Sequence, residues 1–208
     1  MVTKSTKRRS TKTKSRKGTS STQSLSEQRR HFIYDADSGL KPALREDIVG
    51  MNMIVEEADQ YVNFLQRFQS LSETGARTSP GLLLAGEHGL GKTLTVRYIA
   101  TASGARVVQA NQFPRKSSEW ASQDVLSLFR LAKEYVDRKN QPIVLYWDEL
   151  EIAAEDRRYL PRRDAATVSM LSTQLDGFSG KPLGVIFIGS TNNTANREPH
   201  ALSIIGSL

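Results

Sequence analysis

The stretch GEHGLGKTLT, residues 86–95, decides the fold of this chain. It contains a glycine, four variable residues, a second glycine, a lysine and a threonine, with one further glycine inside the pattern. Glycines let the backbone curl so that successive N–H groups point at phosphate oxygens, and a following helix adds its N-terminal amides and dipole. The stretch therefore predicts a phosphate-binding loop between a strand and a helix.

The residues around this loop fit that prediction. The apolar run GLLLA (81–85) has the length of a buried strand, and LTVRYIATA (94–102) has one apolar helical face. We expect Lys92 to reach the β- and γ-phosphates of a nucleotide and the Thr93 hydroxyl to ligate Mg²⁺. The expected nucleotide-binding residues are Gly86, Glu87, His88, Gly89, Leu90, Gly91, Lys92, Thr93 and Leu94.

Two adjacent acids, Asp148 and Glu149, follow the apolar run PIVLYW (142–147). Ligands of parallel α/β sheets bind outside the carboxyl ends of the strands. Asp148 is predicted to hold Mg²⁺, directly or through water, and Glu149 is predicted to orient and deprotonate an attacking water. A solvated acidic strand end is the alternative interpretation of these two residues.

Polar residues also end the apolar run LGVIFIGS (183–190), in the segment IGSTNN. Thr191 and Asn192 are placed where they could reach the γ-phosphate or the lytic water, so Asn192 is a third catalytic candidate beside Glu149 and Lys92. The alternative is ordinary turn chemistry, in which asparagine and threonine simply end a strand.

Strand-like and helix-like patterns alternate along the rest of the chain. Uninterrupted apolar strands between amphipathic helices are typical of a parallel sheet covered on both faces. The fold class predicted is therefore α/β, a P-loop NTPase with a parallel sheet flanked by helices. The strand patterns are 81–85, 106–110, 142–147 and 183–190, and the helical patterns are 56–71, 124–136 and 165–175.

The basic charge of the chain is concentrated at its N-terminus. The net charge is +7, yet residues 1–30 hold ten of the 29 lysines and arginines and only one of the 22 acids. A segment with so few large apolar residues cannot offset the entropy of ordering, so we predict disorder. The domains expected are a basic, Ser/Thr-rich disordered tail, 1–44, and a nucleotide-binding core, 45–208. The tail is either a solvated segment, a nuclear-import signal, or a contact for nucleic acid or an acidic partner.

Composition excludes several other classes of protein. The 208 residues include no cysteine, so disulfides and thiolate metal sites are excluded. No apolar run approaches the roughly 18–20 residues that a membrane span requires, and the N-terminus has no apolar signal region. We expect an intracellular protein, cytoplasmic or nuclear. A mitochondrial transit peptide fits less well because the basic stretch lacks an apolar helical face.

In their order and spacing these segments resemble the AAA family of ring-forming ATPases, over about residues 45–208. Within this family the sequence pattern most resembles that of the membrane-tethered AAA proteases and their unfoldase relatives. GARTSPGLLLAGEHGLGKT (75–93) is similar to the Walker A segment, and VLYWDELE (144–151) to Walker B. IGSTNN resembles sensor 1, with Asn192 as the sensor. LSTQLDGFSG (171–180) resembles the segment of the intersubunit signal, here Asp176, Gly177 and Phe178.

The resemblance carries further expectations. REDIVG (45–50) is similar to the family's entry segment, whose backbone contacts adenine, here around Ile48, Val49 and Gly50. It implies a homo- or hetero-oligomeric ring and a protein substrate. Protease activity is not implied, because the histidines, at 31, 88 and 200, form no H-E-x-x-H motif.

The chain also departs from the family pattern. The places of the paired arginines that reach a neighbour's γ-phosphate hold Ile204 and Ser207, and Arg197 lies on the other side of that segment. An arginine finger contributes ~10³–10⁵ in rate, so weak intrinsic activity is expected. The sequence also stops before the family's fifth strand and helical lid, which predicts a sheet edge at the strand that carries the phosphate loop. Trp120 is either a pore-loop aromatic or a core or helix-start residue.

Four functions therefore stay open at this stage. The first is a Mg²⁺-dependent ATP hydrolase of the AAA class that remodels proteins. The second is a nucleotide-binding subunit, weakly active or inactive, that needs complete AAA partners. The third is a truncated chain whose full-length form is the first case. The fourth is a nucleic-acid-binding protein that works through its basic tail.

Overall fold

The computed structural model describes residues 23–49, 52–74, 81–150, 162–178 and 184–192. Within these ranges helices and strands alternate, with short 3-10 helices at Arg45–Asp47 and Ala110–Gln112. No helix of the described ranges is both long and apolar enough to cross a membrane. In chain order the elements are α1 (Leu25–Tyr34), α2 (Asn52–Gln66), α3 (Phe68–Thr74), β1 (Gly81–Ala85), α4 (Lys92–Ser103), β2 (Arg106–Gln109), α5 (Ser122–Lys139), β3 (Ile143–Trp147), α6 (Arg162–Phe178) and β4 (Val185–Thr191).

The four strands form one parallel sheet in the order β1-β4-β3-β2. This confirms the predicted fold class, a parallel α/β sheet flanked by helices. The register pairs Ala85 with Thr191 and Trp147 with Gly189. The carboxyl ends of β1, β3 and β4 therefore meet at one edge, where the phosphate loop, the acidic pair and Asn192 begin.

β1 lies at an outer position of the described sheet; the sheet edge expected from the sequence stays a prediction. In the described sheet β1 pairs with β4 alone, whereas β4 lies between β1 and β3. The strand that enters the phosphate loop thus has one hydrogen-bonded neighbour among the described residues.

Helices cover both faces of the sheet because β3 and β4 are apolar on both sides. Successive strand side chains point to opposite faces: Val144 and Tyr146 pack with α2 and α4, and Leu145 and Trp147 pack with α5 and α6. All of β3 and β4 is buried. This explains why these strands read as continuous apolar runs rather than alternating ones.

The prediction that residues 1–44 form a disordered tail is wrong for α1. Ser24 and Glu27 form a reciprocal capping box at its start, and Ile33 is fully buried in the core beside α5. Arg29 donates to the Pro114 carbonyl at 2.8 Å and bonds Asp124. Composition misled because it counts an arginine as solvated, whereas this one is bound to groups almost a hundred residues away. Residues 1–22 lie outside the described ranges.

Trp120 is a core residue in this structure. It is buried, its ring stacks on Phe113 with centroids 6.1 Å apart, and it lies 4.1 Å from the ring of Trp147. Arg115 covers the same ring at 4.7 Å. Of the two readings of Trp120, the structure supports the core position over an exposed pore-loop aromatic.

Candidate nucleotide-binding site

The phosphate loop connects β1 to α4 through backbone that glycine adopts readily. Gly89 and Gly91 both have left-handed φ angles, of 84° and 81°, a region in which a side chain is strained. Gly91 is the N-cap of α4, so the free N–H groups of the first helical turn face the loop. Residues 87–90 are exposed, and the loop therefore opens to solvent on its outer side.

Lys92 holds its charge inside this loop. Its Nζ donates to the backbone carbonyls of Gly86 and Glu87, both at 2.7 Å. These carbonyls occupy two of the three donors of the ammonium group. The cation is thus held over the loop, where a phosphate oxygen can replace one of these carbonyls.

The two predicted metal ligands, Thr93 and Asp148, are joined through two residues that the sequence analysis did not select. Thr93 Oγ1 lies 3.1 Å from the hydroxyl of Tyr146, which lies 3.3 Å from Ser190 Oγ. Ser190 in turn donates to Asp148 Oδ1. An unbroken hydrogen-bonded chain therefore connects the start of α4 with the end of β3.

The pKa of Tyr146 is raised to about 12, chiefly because the side chain is buried. The hydrogen bonds that its hydroxyl shares with those of Ser190 and Thr93 act in the opposite direction, and Asp148 raises the pKa further. The side chain is 1 % exposed. Burial disfavours the phenolate, so the hydroxyl stays protonated throughout the neutral range and remains available as a donor.

Asn111 fixes the backbone of Asp148. Its side-chain amide donates to the Asp148 carbonyl at 2.8 Å and accepts from the Asp148 N–H at 3.1 Å. Asn111 belongs to the 3-10 helix that follows β2, so it reaches the carboxyl edge from the neighbouring strand. Sequence reasoning missed it, although its position just after a predicted strand was a usable signal.

Glu149 has a left-handed φ of 53°, which is uncommon for a residue with a side chain. Its N–H donates to Asp148 Oδ1 at 3.1 Å and to Ser190 Oγ at 3.3 Å. The next N–H, of the buried Leu150, donates to the Ser190 carbonyl at 2.7 Å. This turn leaves Asp148 half-buried and Glu149 exposed, so the two neighbouring carboxylates have different surroundings.

Asn192 directly follows β4, and the strand is bonded to the phosphate loop at this point. The Gly86 N–H donates to the Thr191 carbonyl at 3.2 Å. Asn192 is half-buried. The structure thus brings the predicted sensor residue to the same edge as the loop and the acidic pair.

The entry segment and the intersubunit residues are described only in part. Ile48 is buried with α2 and α4, whereas Val49 is 84 % exposed. Their predicted contact with adenine stays a prediction, and Gly50 lies outside the described residues. So do Arg197, Ile204 and Ser207, and the side chains at positions 176–178.

The donor set fits Mg²⁺ with a nucleotide. The described residues contain no group of three or more His, Cys, Asp or Glu side chains that could hold a metal by themselves. Mg²⁺ commonly takes only one or two protein ligands, together with water and substrate phosphates. Thr93 and Asp148 supply hard oxygen atoms of this kind, and Lys92 supplies the charge that the phosphates need.

Comparison with known proteins agrees with this geometry. Residues 82–206 match the family described as "ATPase family associated with various cellular activities (AAA)". The chain is 29 % identical over 163 residues to "ATP-dependent zinc metalloprotease FtsH 3" of Sorangium cellulosum, which covers 75 % of this chain and 26 % of that protein. It is 30 % identical over 183 residues to "Probable inactive ATP-dependent zinc metalloprotease FTSHI 1, chloroplastic" of Arabidopsis thaliana, covering 81 % and 18 %.

The likeness extends to a solved structure. A chain of the Escherichia coli HORMA:CdnC:Trip13 complex superposes with a TM-score of 0.56 at 19 % identity, covering 77 % of this chain and 62 % of that one. At this identity the likeness shows the fold. The chain spans about a quarter or less of the length of the two curated relatives, so it corresponds to one portion of them.

Proposed function

The chain belongs to the AAA family of ATPases, and on that premise we propose that it binds ATP with Mg²⁺ and hydrolyses it within an oligomeric ring that remodels proteins. The observation that carries the proposal is the hydrogen-bonded chain from Thr93 to Asp148 beside the loop-held Lys92. Groups that can bind phosphate, a metal ion and water therefore lie together at one edge of the sheet.

The loop and the start of α4 hold the nucleotide. The N–H groups of the loop and of the first turn of α4 bind phosphate oxygens, and Lys92 neutralises charge on the β- and γ-phosphates. Thr93 and Asp148 hold Mg²⁺, directly or through water. When bound, the metal neutralises charge that develops on the phosphate oxygens. Ile48, Val49 and Gly50 are proposed to contact the adenine.

Glu149 is proposed to orient the attacking water and to accept its proton. Asp148 Oδ1 already accepts from Ser190 and from the Glu149 N–H, whereas the exposed carboxylate of Glu149 has no hydrogen bond to another described residue. One carboxylate thus serves the metal, and its neighbour stays available as a base. Asn192 is proposed to bind the γ-phosphate or the water from the adjacent strand.

Members of the AAA family form rings and act on proteins, which supports a homo- or hetero-oligomer with a protein substrate. Turnover by this chain alone is proposed to be weak, since Ile204 and Ser207 stand where the resemblance places arginines. A second candidate follows from the same observation: a nucleotide-binding subunit that depends on complete AAA partners. Contact of the basic tail with nucleic acid or an acidic partner stays a prediction without support from the relatives.

Steady-state ATP hydrolysis by the full chain, measured beside Glu149→Gln over a wide range of protein concentration, tests the proposal. Glutamine keeps the shape of the side chain but cannot accept the proton. We expect slow, Mg²⁺-dependent hydrolysis by the wild type and none by the variant, with nucleotide binding preserved in both. Equal hydrolysis by both proteins would contradict the role of Glu149. Binding without turnover at every concentration would favour the partner-dependent subunit.

A further inference from the structure

Tyr146 and Ser190 lie between the two expected metal ligands, and neither belongs to the residues assigned to the nucleotide. We propose that they are positioning residues, which fix the direction of the Thr93 hydroxyl so that its lone pairs face the bound cation. This inference rests on the proposed function, because it concerns how the same site receives Mg²⁺. It is carried by the order of donors and acceptors along the hydrogen-bonded chain.

The direction of each hydrogen bond follows from its neighbour, starting at Asp148. An ionised carboxylate only accepts hydrogen bonds, so Ser190 uses its single proton on Asp148 Oδ1. The two lone pairs of Ser190 Oγ are then left for the Glu149 N–H, at 3.3 Å, and the Tyr146 hydroxyl, at 3.3 Å. Ser190 is therefore fully used, and Tyr146 must be the donor toward it.

The direction of the hydrogen bond between Tyr146 and Thr93 follows in the same way. The proton of Tyr146 is given to Ser190, so its oxygen can only accept from Thr93 Oγ1, at 3.1 Å. The Thr93 proton is thus directed at Tyr146, and no other described residue donates a hydrogen bond to the two lone pairs of Thr93 Oγ1. A hydroxyl that ligates a cation must offer a lone pair and turn its proton away, and this chain imposes that orientation in advance.

Burial makes the arrangement specific to these two side chains. Tyr146 is 1 % exposed and Ser190 is fully buried, so bulk water has little access to replace either hydroxyl. The ring of Tyr146 packs with α2 and α4 independently of its hydroxyl, which means that phenylalanine removes the hydrogen bonds and keeps the packing.

The test is the gain in nucleotide affinity that Mg²⁺ gives. The dissociation constant of a non-hydrolysable ATP analogue is measured by calorimetry in Mg²⁺ and again in EDTA. The readout is the constant in EDTA divided by the constant in Mg²⁺. For Tyr146→Phe we expect this ratio to fall roughly three- to tenfold, the size of one hydrogen bond, with the constant in EDTA unchanged. Ser190→Ala should lower the ratio similarly. The double variant should lose little more than either single one, because both interrupt the same chain.

Tyr135→Phe is the matched control, since Tyr135 is also buried and its hydroxyl bonds Gln141 outside the site. The ratio of dissociation constants for Tyr135→Phe should equal that of the wild type. Ratios equal to that of the wild type in Tyr146→Phe and Ser190→Ala would overturn the inference. Affinity for the analogue that is weakened equally in Mg²⁺ and in EDTA would also overturn it, because such a loss indicates a general structural role. A wild-type chain that binds no analogue in either condition would instead contradict the proposed function itself.

Discussion

Asp148 and Glu149 adjoin in sequence, yet their environments differ because the chain turns sharply between β3 and the following residues. Asn111 holds the backbone of Asp148 on one side, and Ser190 holds its carboxylate on the other. Glu149 adopts a left-handed backbone that costs of order 1–3 kcal/mol in a residue other than glycine. Leu150, buried immediately after it, anchors that conformation.

Removing the amide of Asn111 should therefore disturb catalysis more than folding. We expect Asn111→Ala to lower the rate of ATP hydrolysis roughly tenfold, because two hydrogen bonds of about 0.5–1.5 kcal/mol each hold Asp148 in place. Steady-state kinetics at saturating Mg²⁺-ATP is the measurement. Asn63→Ala, which removes an exposed amide on α2, is the control. An Asn111→Ala enzyme as active as this control would contradict the role of Asn111.

The Tyr146 hydroxyl should titrate well above an ordinary tyrosine. Its pKa is raised from 10.0 to about 12 in the folded state, mainly by burial. The folded chain thus holds this proton more tightly than the unfolded chain. The stability it contributes is complete below pH 10 and is lost as the pH rises toward 12. Subtracting the absorbance titration of Tyr146→Phe from that of the wild type isolates this group. A difference step centred near pH 10 would contradict the burial argument.

Some residues of the site could be predicted from a local sequence pattern, and others could not. Lys92 and Thr93 belong to a local motif whose geometry is set within a few residues, so they could be predicted. The structure brings Asp148 and Asn192 to the same edge, as their positions after apolar strands had indicated. Tyr146 and Ser190 could not be selected, because their role depends on how β3 and β4 align. An apolar run shows that a strand is buried but not which side chain of the next strand it faces.

At the scale of elements, Gly184 sets where β4 begins. It has a left-handed φ of 64°, and a Cβ there would lie 2.8 Å from Phe68 and 3.0 Å from Val136. Its carbonyl accepts from the Ile143 N–H at 2.7 Å, which aligns β4 with β3. The position therefore combines a special backbone conformation with close packing between α3 and α5.

We expect Gly184→Ala to lower the free energy of unfolding by about 2–5 kcal/mol, since the left-handed backbone costs about 1–2 kcal/mol and overpacking about 1–3 kcal/mol. Gly104→Ala is the matched control: Gly104 has a φ of 67° and open space around its Cβ position, so it should show the backbone cost alone. Denaturant unfolding of both variants is the measurement. Equal losses would show that packing around Gly184 adds nothing.

At the scale of the whole molecule, the folded body begins earlier than composition indicates. The alternation of strands and helices was predictable, because it rests on periodicity within each segment. The position of α1 was not, because it depends on Arg29, a charged residue whose partners lie on the loop before α5 and on α5 itself. A count of charges cannot show that a charge has partners elsewhere in the chain.

Arg29 and Arg30 provide a test of this point within one helix. The Arg29 side chain is 13 % exposed and bonds three partners, whereas Arg30 is 53 % exposed and makes one ion pair with Glu134. We expect Arg29→Ala to lower the free energy of unfolding by about 2–3 kcal/mol, since it leaves Asp124 partly buried without its cation. Arg30→Ala should cost less than about 1 kcal/mol. Thermal and denaturant unfolding of both variants is the measurement. Equal, small losses of unfolding free energy in the two variants would show that the contacts of α1 add little to stability.

The proposed function depends first on binding of ATP with Mg²⁺ through the loop that precedes α4. Equilibrium binding of Mg²⁺-ATP by the full chain, measured by calorimetry beside Lys92→Ala, tests it most directly. Lys92 makes its hydrogen bonds only to the loop carbonyls of Gly86 and Glu87 among the described residues, so the folded state should tolerate its loss. We expect saturable binding by the wild type and at least about a tenfold weaker affinity in the variant. Absence of binding by a folded wild-type chain, or equal affinities in the two proteins, would contradict it.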